Sequence, residues 1–88
     1  MEAIMTVTGV DRTGIIAAVS AELARLGVNI INVTQTLMDE YFTMILEVAL
    51  PEGSSITQVQ QAMAELGGAE ALEIHVQADS IFRAMHRV

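Results

Sequence analysis

The chain has 88 residues, with eleven acidic residues against four arginines, a net charge of −7, and neither lysine nor cysteine. That acidity repels phosphate backbones and anionic bilayers, and the missing residue types exclude Schiff-base chemistry, disulfides, thiolate metal sites and iron–sulfur clusters. One domain of this size buries roughly 60–65 % of its unfolded surface, a thin margin that assembly with a second copy would widen.

Residues 3–9 (AIMTVTG) alternate, with Met5 and Val7 on one side and Ile4, Thr6 and Thr8 on the other, which predicts a half-buried strand ended by Gly9. From Thr13 to Leu26 the apolar residues Ile15, Ile16, Val19, Leu23 and Leu26 recur at helical spacing opposite Ser20, Glu22 and Arg25. Asp11 or Thr13 is the expected N-cap of this helix and Gly27 its C′ residue. Val28 to Met38 reads as a second strand. Tyr41 to Leu50 reads as a third, with Phe42, Met44, Leu46 and Val48 alternating against Thr43 and Glu47. Asp39 and Glu40 join the two, and since neither favours a tight primed turn, a bulge or longer loop is expected.

After Pro51, Gly53 and Ser54, the pair Ser55 and Gln58 forms a capping box ahead of Ile56, Val59, Met63 and Leu66, a second amphipathic helix closed by Gly67 and Gly68. Glu70 to Ala78 alternates again, Leu72, Ile74 and Val76 facing in. The order β-α-β-β-α-β with right-handed crossovers implies an α+β, ferredoxin-like fold over residues 1–78: a four-stranded antiparallel sheet with both helices on one face. The opposite face is expected to carry Ile4, Ile31, Val33, Leu37 and Ile45, an apolar patch. The extension 79–88 (DSIFRAMHRV) spaces Ile81, Phe82, Met85 and Val88 as a short amphipathic helix, which would cover that patch within one chain or between two.

The stretch GVDRTG at residues 9–14 joins the first strand to the first helix. Its G-x-x-x-x-G spacing is that of a phosphate loop, but Ile15 and Ile16 stand where Lys and Ser or Thr are required. A helix starting near Thr13 instead offers backbone amides to an α-carboxylate, Gly9 and Gly14 permit close approach, and Asp11 can accept an α-ammonium. The structural alternative has Asp11 capping the helix, Gly9 turning the chain and Gly14 packing on a neighbour. Arg12 would pair with Glu22 or Asp11, remain solvated, or hold an anionic effector. Asn32 and Gln35 on the second strand read as a polar strand face, or as the lining of an interface. His75, flanked by Glu73, Gln77 and Asp79, reads as a solvated strand position, and His86 with Arg83 and Arg87 as cations favoured at a helix C-terminus. The methionines read as core filler. No cleft set of Arg with Asn, or His with a carboxylate, is legible, so no enzyme, cofactor or metal is expected.

The stretch VTGVDRTGIIAAVSAELARLGVNI, Val7 to Ile30, resembles the ACT-domain signature: strand, Gly, x-Asp-Arg-Pro-Gly, aliphatic helix, Gly-x-Asn-Ile. The ending IFRAMHRV and the length resemble small stand-alone ACT proteins of bacteria and archaea. The resemblance implies a regulatory module that binds an amino acid or another small effector, often at a dimer interface, and acts on an enzyme or other protein target. Carried over by position, it marks Gly9, Asp11, Arg12, Thr13, Gly14, Asn29 and Ile30 as the ligand-binding set. Thr13 stands where many members have proline, and Gly9 where some serine-binding members have histidine.

In this fold the first two strands run parallel, so Asp11 and Asn29 lie at opposite ends of the sheet, separated by a helix of ~20 Å. One chain cannot clamp a small ligand with both. A two-fold partner with the two helices antiparallel brings Asp11 of one chain near Asn29 of the other, making the homodimer the expected binding unit. The competing expectation is an oligomerisation or protein-interaction module without ligand. Met1-Glu2-Ala3 lacks the positive lead of a secretion signal and no apolar run approaches the roughly 20 residues of a membrane span, so a cytoplasmic protein without a membrane partner is expected. Nucleic acid is not expected either: Tyr41, Phe42 and Phe82 are the only aromatics for stacking.

Overall fold

A computed structural model of the chain describes residues 1–85. Its elements are β1 (Glu2–Val10), α1 (Ile15–Arg25), β2 (Asn29–Met38), β3 (Tyr41–Ala49), α2 (Ile56–Glu70), β4 (Glu73–Ala78) and α3 (Asp79–Met85). The strands form one sheet in the order β2-β3-β1-β4, every neighbouring pair antiparallel. This is the expected ferredoxin-like α+β arrangement. The tail expectations at His86, Arg87 and Val88 lie outside the described residues.

One side of the sheet supplies Met5 and Val7 from β1, Met44, Leu46 and Val48 from β3 and Val76 from β4. Ile15, Val19 and Leu23 of α1 and Val59 and Met63 of α2 close over them in one buried cluster. The helices therefore share a single face because each presents one apolar stripe. The capping box of α2 forms as its sequence requires: Ser55 Oγ accepts from the Gln58 amide at 3.2 Å, and the Gln58 side chain accepts from the Ser55 amide. Gly27, with φ of 72°, ends α1 in a Schellman arrangement, its amide bonded to the Ala24 carbonyl and that of Val28 to the Leu23 carbonyl.

Several local expectations are corrected. Gly9 does not end β1, which runs on to Val10; a Cβ at Gly9 would lie 2.7 Å from Leu72 Cδ2, so this glycine accommodates a side chain packed across the strand. Neither Asp11 nor Thr13 caps α1: the N-cap is Gly14, in the left-handed region at φ 95°, with no side-chain cap. Gly14 has open space around a would-be Cβ, so backbone conformation and not tight packing accounts for it. Asp39 and Glu40 make a two-residue turn after all, Met38 pairing directly with Tyr41 and Asp39 taking φ of 54°. The turn is held from outside, since the Asp11 amide donates to the Glu40 carbonyl at 2.8 Å. Gly67 and Gly68 lie within α2, which ends at Ala71 in the left-handed conformation.

The largest correction concerns β2. A bulge between Ile30 and Asn32 shifts the strand's phase, so that Ile30, Val33 and Leu37 pair with Val48, Leu46 and Phe42, all residues of the core-facing side. Val33 and Leu37 thus lie on the helix side of the sheet and not on the far face. Both stay about half exposed there, and every residue of β2 is exposed. The far face is threonine-rich instead, with Thr6, Thr8, Thr34, Thr36 and Thr43 on it by register. Its Ile4 is buried, and α3 lies against β1 and β4 of the same chain. Arg83 fixes α3 there, bonded to Asp79 at 2.8 Å and reaching Glu47, the cross-strand neighbour of Ile4, at 3.5 Å. Both carboxylates, Asp79 first, raise the Arg83 pKa above its ordinary value.

Candidate functional site

The β1–α1 junction does not gather the residues the sequence marked; it distributes them. Asp11 lies on a groove of about 340 Å³ with Ile16, Gln35, Thr36, Leu37 and Phe42. Gly9 lies on the other side of Phe42, in a wider cleft of about 550 Å³ whose walls include Tyr41, Gly67, Gly68 and Leu72. Arg12 turns away from both Glu22 and Asp11. It reaches the end of α2, where its Nη2 donates to the Glu70 carboxylate at 2.6 Å and to the Glu70 backbone carbonyl at 2.9 Å. The expected Arg12 partners are thereby corrected: Glu22 is taken by Arg25, three residues along α1, whose guanidinium holds the Glu22 carboxyl below its ordinary pKa.

Thr13 and Gly14 are exposed at the start of α1. Asn29 and Ile30 are at the far end: Asn29 pairs with Ala49, which pairs with Glu2, the opposite end of the sheet from the Val10–Tyr41–Met38 row. The separation expected from parallel β1 and β2 is present. Among the described residues the Asp11 carboxylate has no hydrogen-bond or ion-pair partner, and the three arginines are all engaged, with Glu70, Glu22 and Asp79.

Ile16 and Leu37, which the sequence does not single out, line the groove beside Asp11. Ile16 was expected on the buried stripe of α1, yet it is 48 % exposed while Ile15, Val19 and Leu23 are buried. The available signal was its position next to Ile15: the stripe continues from Ile15 at intervals of four, which leaves Ile16 on the flank. Leu37 was placed on the wrong face because the bulge in β2 has no signature in the residue types.

His75 Nε2 lies 3.3 Å from Glu73 Oε2, both exposed on the far face of β4. Among the described residues no group of three or more His, Asp or Glu side chains could hold a metal ion. No helix among them is long and apolar enough to cross a membrane.

A family model for the ACT domain matches residues 2–77, the βαββαβ unit but for its last residue. The chain belongs to the ACT-domain family. ACT domains are a regulatory, small-molecule-binding type of domain. A small UPF0237 protein of Corynebacterium diphtheriae is 51 % identical over 87 residues, spanning 98 % of each chain. Among solved structures, an ACT domain protein from Streptococcus pneumoniae superposes with a TM-score of 0.85 at 41 % identity, covering 98 % of each chain. A putative glycine cleavage system transcriptional repressor superposes with a TM-score of 0.78 at 26 % identity, over 86 % of this chain and 44 % of that one. The ACT signature in this chain therefore sits on the β1–α1 junction, with Asp11 at the groove and Asn29 a sheet-length away.

Proposed function

We propose that this ACT protein is a homodimeric cytoplasmic sensor that binds an amino-acid effector at the β1–α1 junction, in a site completed by the partner chain. One observation carries the reading: β2 is a ten-residue edge strand, exposed along its length, whose Leu37 lines the groove that holds Asp11. An edge of that length with unpaired backbone groups and apolar side chains is a surface that pairs with another strand. Antiparallel pairing of β2 with its own copy sets the two α1 helices side by side. It also brings the Leu37 end of one protomer to the Asn29 end of the other, so the isologous contact makes two sites.

The chemistry at the junction suits a zwitterion. Asp11, without a partner among the described residues, can accept from an ammonium, and α1 begins at Gly14 without a side-chain cap, leaving first-turn amides for a carboxylate. A regulatory role agrees with the putative glycine cleavage system transcriptional repressor that shares this fold, and the target would be an enzyme or another regulated protein. Residues 79–85 serve as a structural extension of the 1–78 core.

Sedimentation to give the solution mass, with thermal unfolding against the twenty amino acids, tests this. A dimer whose Tm rises with at least one amino acid is expected, by roughly 2.7 kcal/mol of stabilisation at a hundredfold excess over Kd. A monomer that binds with full affinity would overturn the shared site. The same bare β2 edge also favours a second reading, an assembly module, for which the outcome is a dimer with no shift from any amino acid.

A further inference from the structure

The sheet has two edges, and the chain treats them differently. At one edge β2 runs for ten residues, exposed throughout. At the other, β4 has six residues, and a side chain from another element is bonded to its backbone: Gln60 Nε2 of α2 donates to the Val76 carbonyl at 2.8 Å. The direction of that carbonyl follows from the ladder. The Met1 carbonyl accepts from the Leu50 amide at 2.8 Å, so by alternation Ala3, Met5 and Val7 turn their backbone groups toward β3. Met5 is opposite Val76, which therefore turns its own N–H and C=O away from β1, to the open side. By the same alternation Ile74 and Ala78 face outward, and Val76 is the middle one of the three.

We propose that Gln60 is a stopper on the β4 edge: its carboxamide occupies the acceptor at the centre of that edge, so a second copy cannot add a strand there and assembly ends at two chains. The limit of two rests on β2 being the pairing edge. Symmetry gives the stopper its purpose. A two-fold contact of β2 with β2 leaves the two β4 strands at the outer ends of one continuous sheet, and pairing of β4 with β4 as well would make the two contacts alternate without closing, an open ribbon. Val76 is buried, so its carbonyl needs a donor from protein; Gln60 supplies one from within the chain, where an incoming strand's amide would otherwise serve. The hold on β2 is only local. Asn32 Oδ1 accepts from the amide of Val33, the next residue, at 2.9 Å, an exposed contact that rotation of one side chain releases. Gln60 instead ties a helix to the strand, and it is fixed in place by its neighbour Val59 in the core.

Sedimentation of Gln60→Met and Gln60→Lys over a range of protein concentrations tests the stopper, with far-ultraviolet dichroism to follow the fold. Methionine keeps the length and helix propensity of glutamine but has no N–H to give, whereas lysine restores a donor at similar reach. Q60M should pass from two copies to larger species, its mean mass rising with concentration, and Q60K should sediment as the parent does. The double variant Val33→Lys, Gln60→Met, with its β2 edge blocked, should stop at a dimer formed through β4. In the parent itself, nuclear magnetic resonance should show the Gln60 carboxamide protons exchanging with water more slowly than those of Gln61, exposed on the same helix. Equal exchange of the two carboxamides, or a folded Q60M with the parent's mass at every concentration, would overturn the stopper and leave β2 pairing standing. A monomeric parent would overturn β2 pairing; the stopper then stands if Q60M dimerises and falls if Q60M is monomeric too.

Discussion

Gly67 and Leu72 meet backbone to backbone where α2 hands over to β4: the Leu72 amide donates to the Gly67 carbonyl at 2.8 Å, and a Cβ on Gly67 would stand 2.7 Å from the Leu72 carbonyl oxygen. A methyl group there collides with backbone, which cannot rotate aside. Gly67→Ala should destabilise by about 1–3 kcal/mol in urea unfolding, the usual cost of forcing atoms into a packed contact. Its neighbour is the control. Gly68 is exposed on the same helix with open space around it, so Gly68→Ala should stabilise by about 0.5–1 kcal/mol through helix propensity alone. Equal effects of the two changes would contradict this account of α2.

The Asp39–Glu40 turn carries a conformational cost. Asp39 has φ of 54°, a region that a residue with a Cβ adopts at a cost of about 1–2 kcal/mol, eased for Asp by local hydrogen bonding. Asp39→Gly should therefore stabilise by under about 1 kcal/mol, and Asp39→Val should destabilise by about 1 kcal/mol or more. In a domain of this size each kcal/mol moves Tm by roughly 4–8 °C, within reach of calorimetry.

These two sites also mark where reading the sequence succeeded and where it could not. Period and composition located every strand and helix, since Met5, Val7, Leu23, Met44 and Met63 sit in the core at the spacing their elements demand. The ends of elements were less legible. Gly67 and Gly68 look like a helix stop, and only the close approach of Leu72 reveals why a glycine lies inside the helix. Asp39 looks unsuited to a tight turn, and only the Asp11 amide on the Glu40 carbonyl shows what holds that turn closed. The place of Asp11 at the strand-to-helix junction was legible because it follows from the order of the elements. Ile16 and Leu37 were not, because one depends on a small rotation about α1 and the other on a bulge at Ile30 to Asn32.

Glu22 gives the molecule a definite pH signature. Its bond to Arg25 holds its pKa below the ordinary 4.5, so between the two values the native carboxylate stays ionised while the unfolded one takes up a proton. The stabilisation is then fully present above the ordinary carboxylate pKa and is lost as pH falls through the lower native one. Glu22→Gln removes that contribution. Its stability curve should be shallower than the parent's below about pH 4.5, with only a small change at pH 7, since the pair lies on an exposed helix face. A variant whose acid limb parallels the parent's would show that Arg25 does not stabilise the ionised form.

The exposed edge at β2 makes the strongest demand on experiment. Val33 sits at the middle of that strand, 49 % exposed on the helix side, where it pairs with buried Leu46. Val33→Lys removes little core and places a charge on the edge, a device by which natural sheets prevent strand pairing. The expected result is a folded protein with far-ultraviolet dichroism like the parent's, sedimenting as a monomer, with its thermal transition now independent of concentration. If the effector site is shared between protomers as proposed, loss of effector binding should accompany it. The matched change on the opposite face, Thr34→Lys, puts the same charge on the same strand, one position along. If pairing runs along the β2 backbone, both lysines should weaken the dimer. If Thr34→Lys leaves the dimer intact while Val33→Lys abolishes it, the contact is made by the helix side alone, Ile16 and Leu37 included.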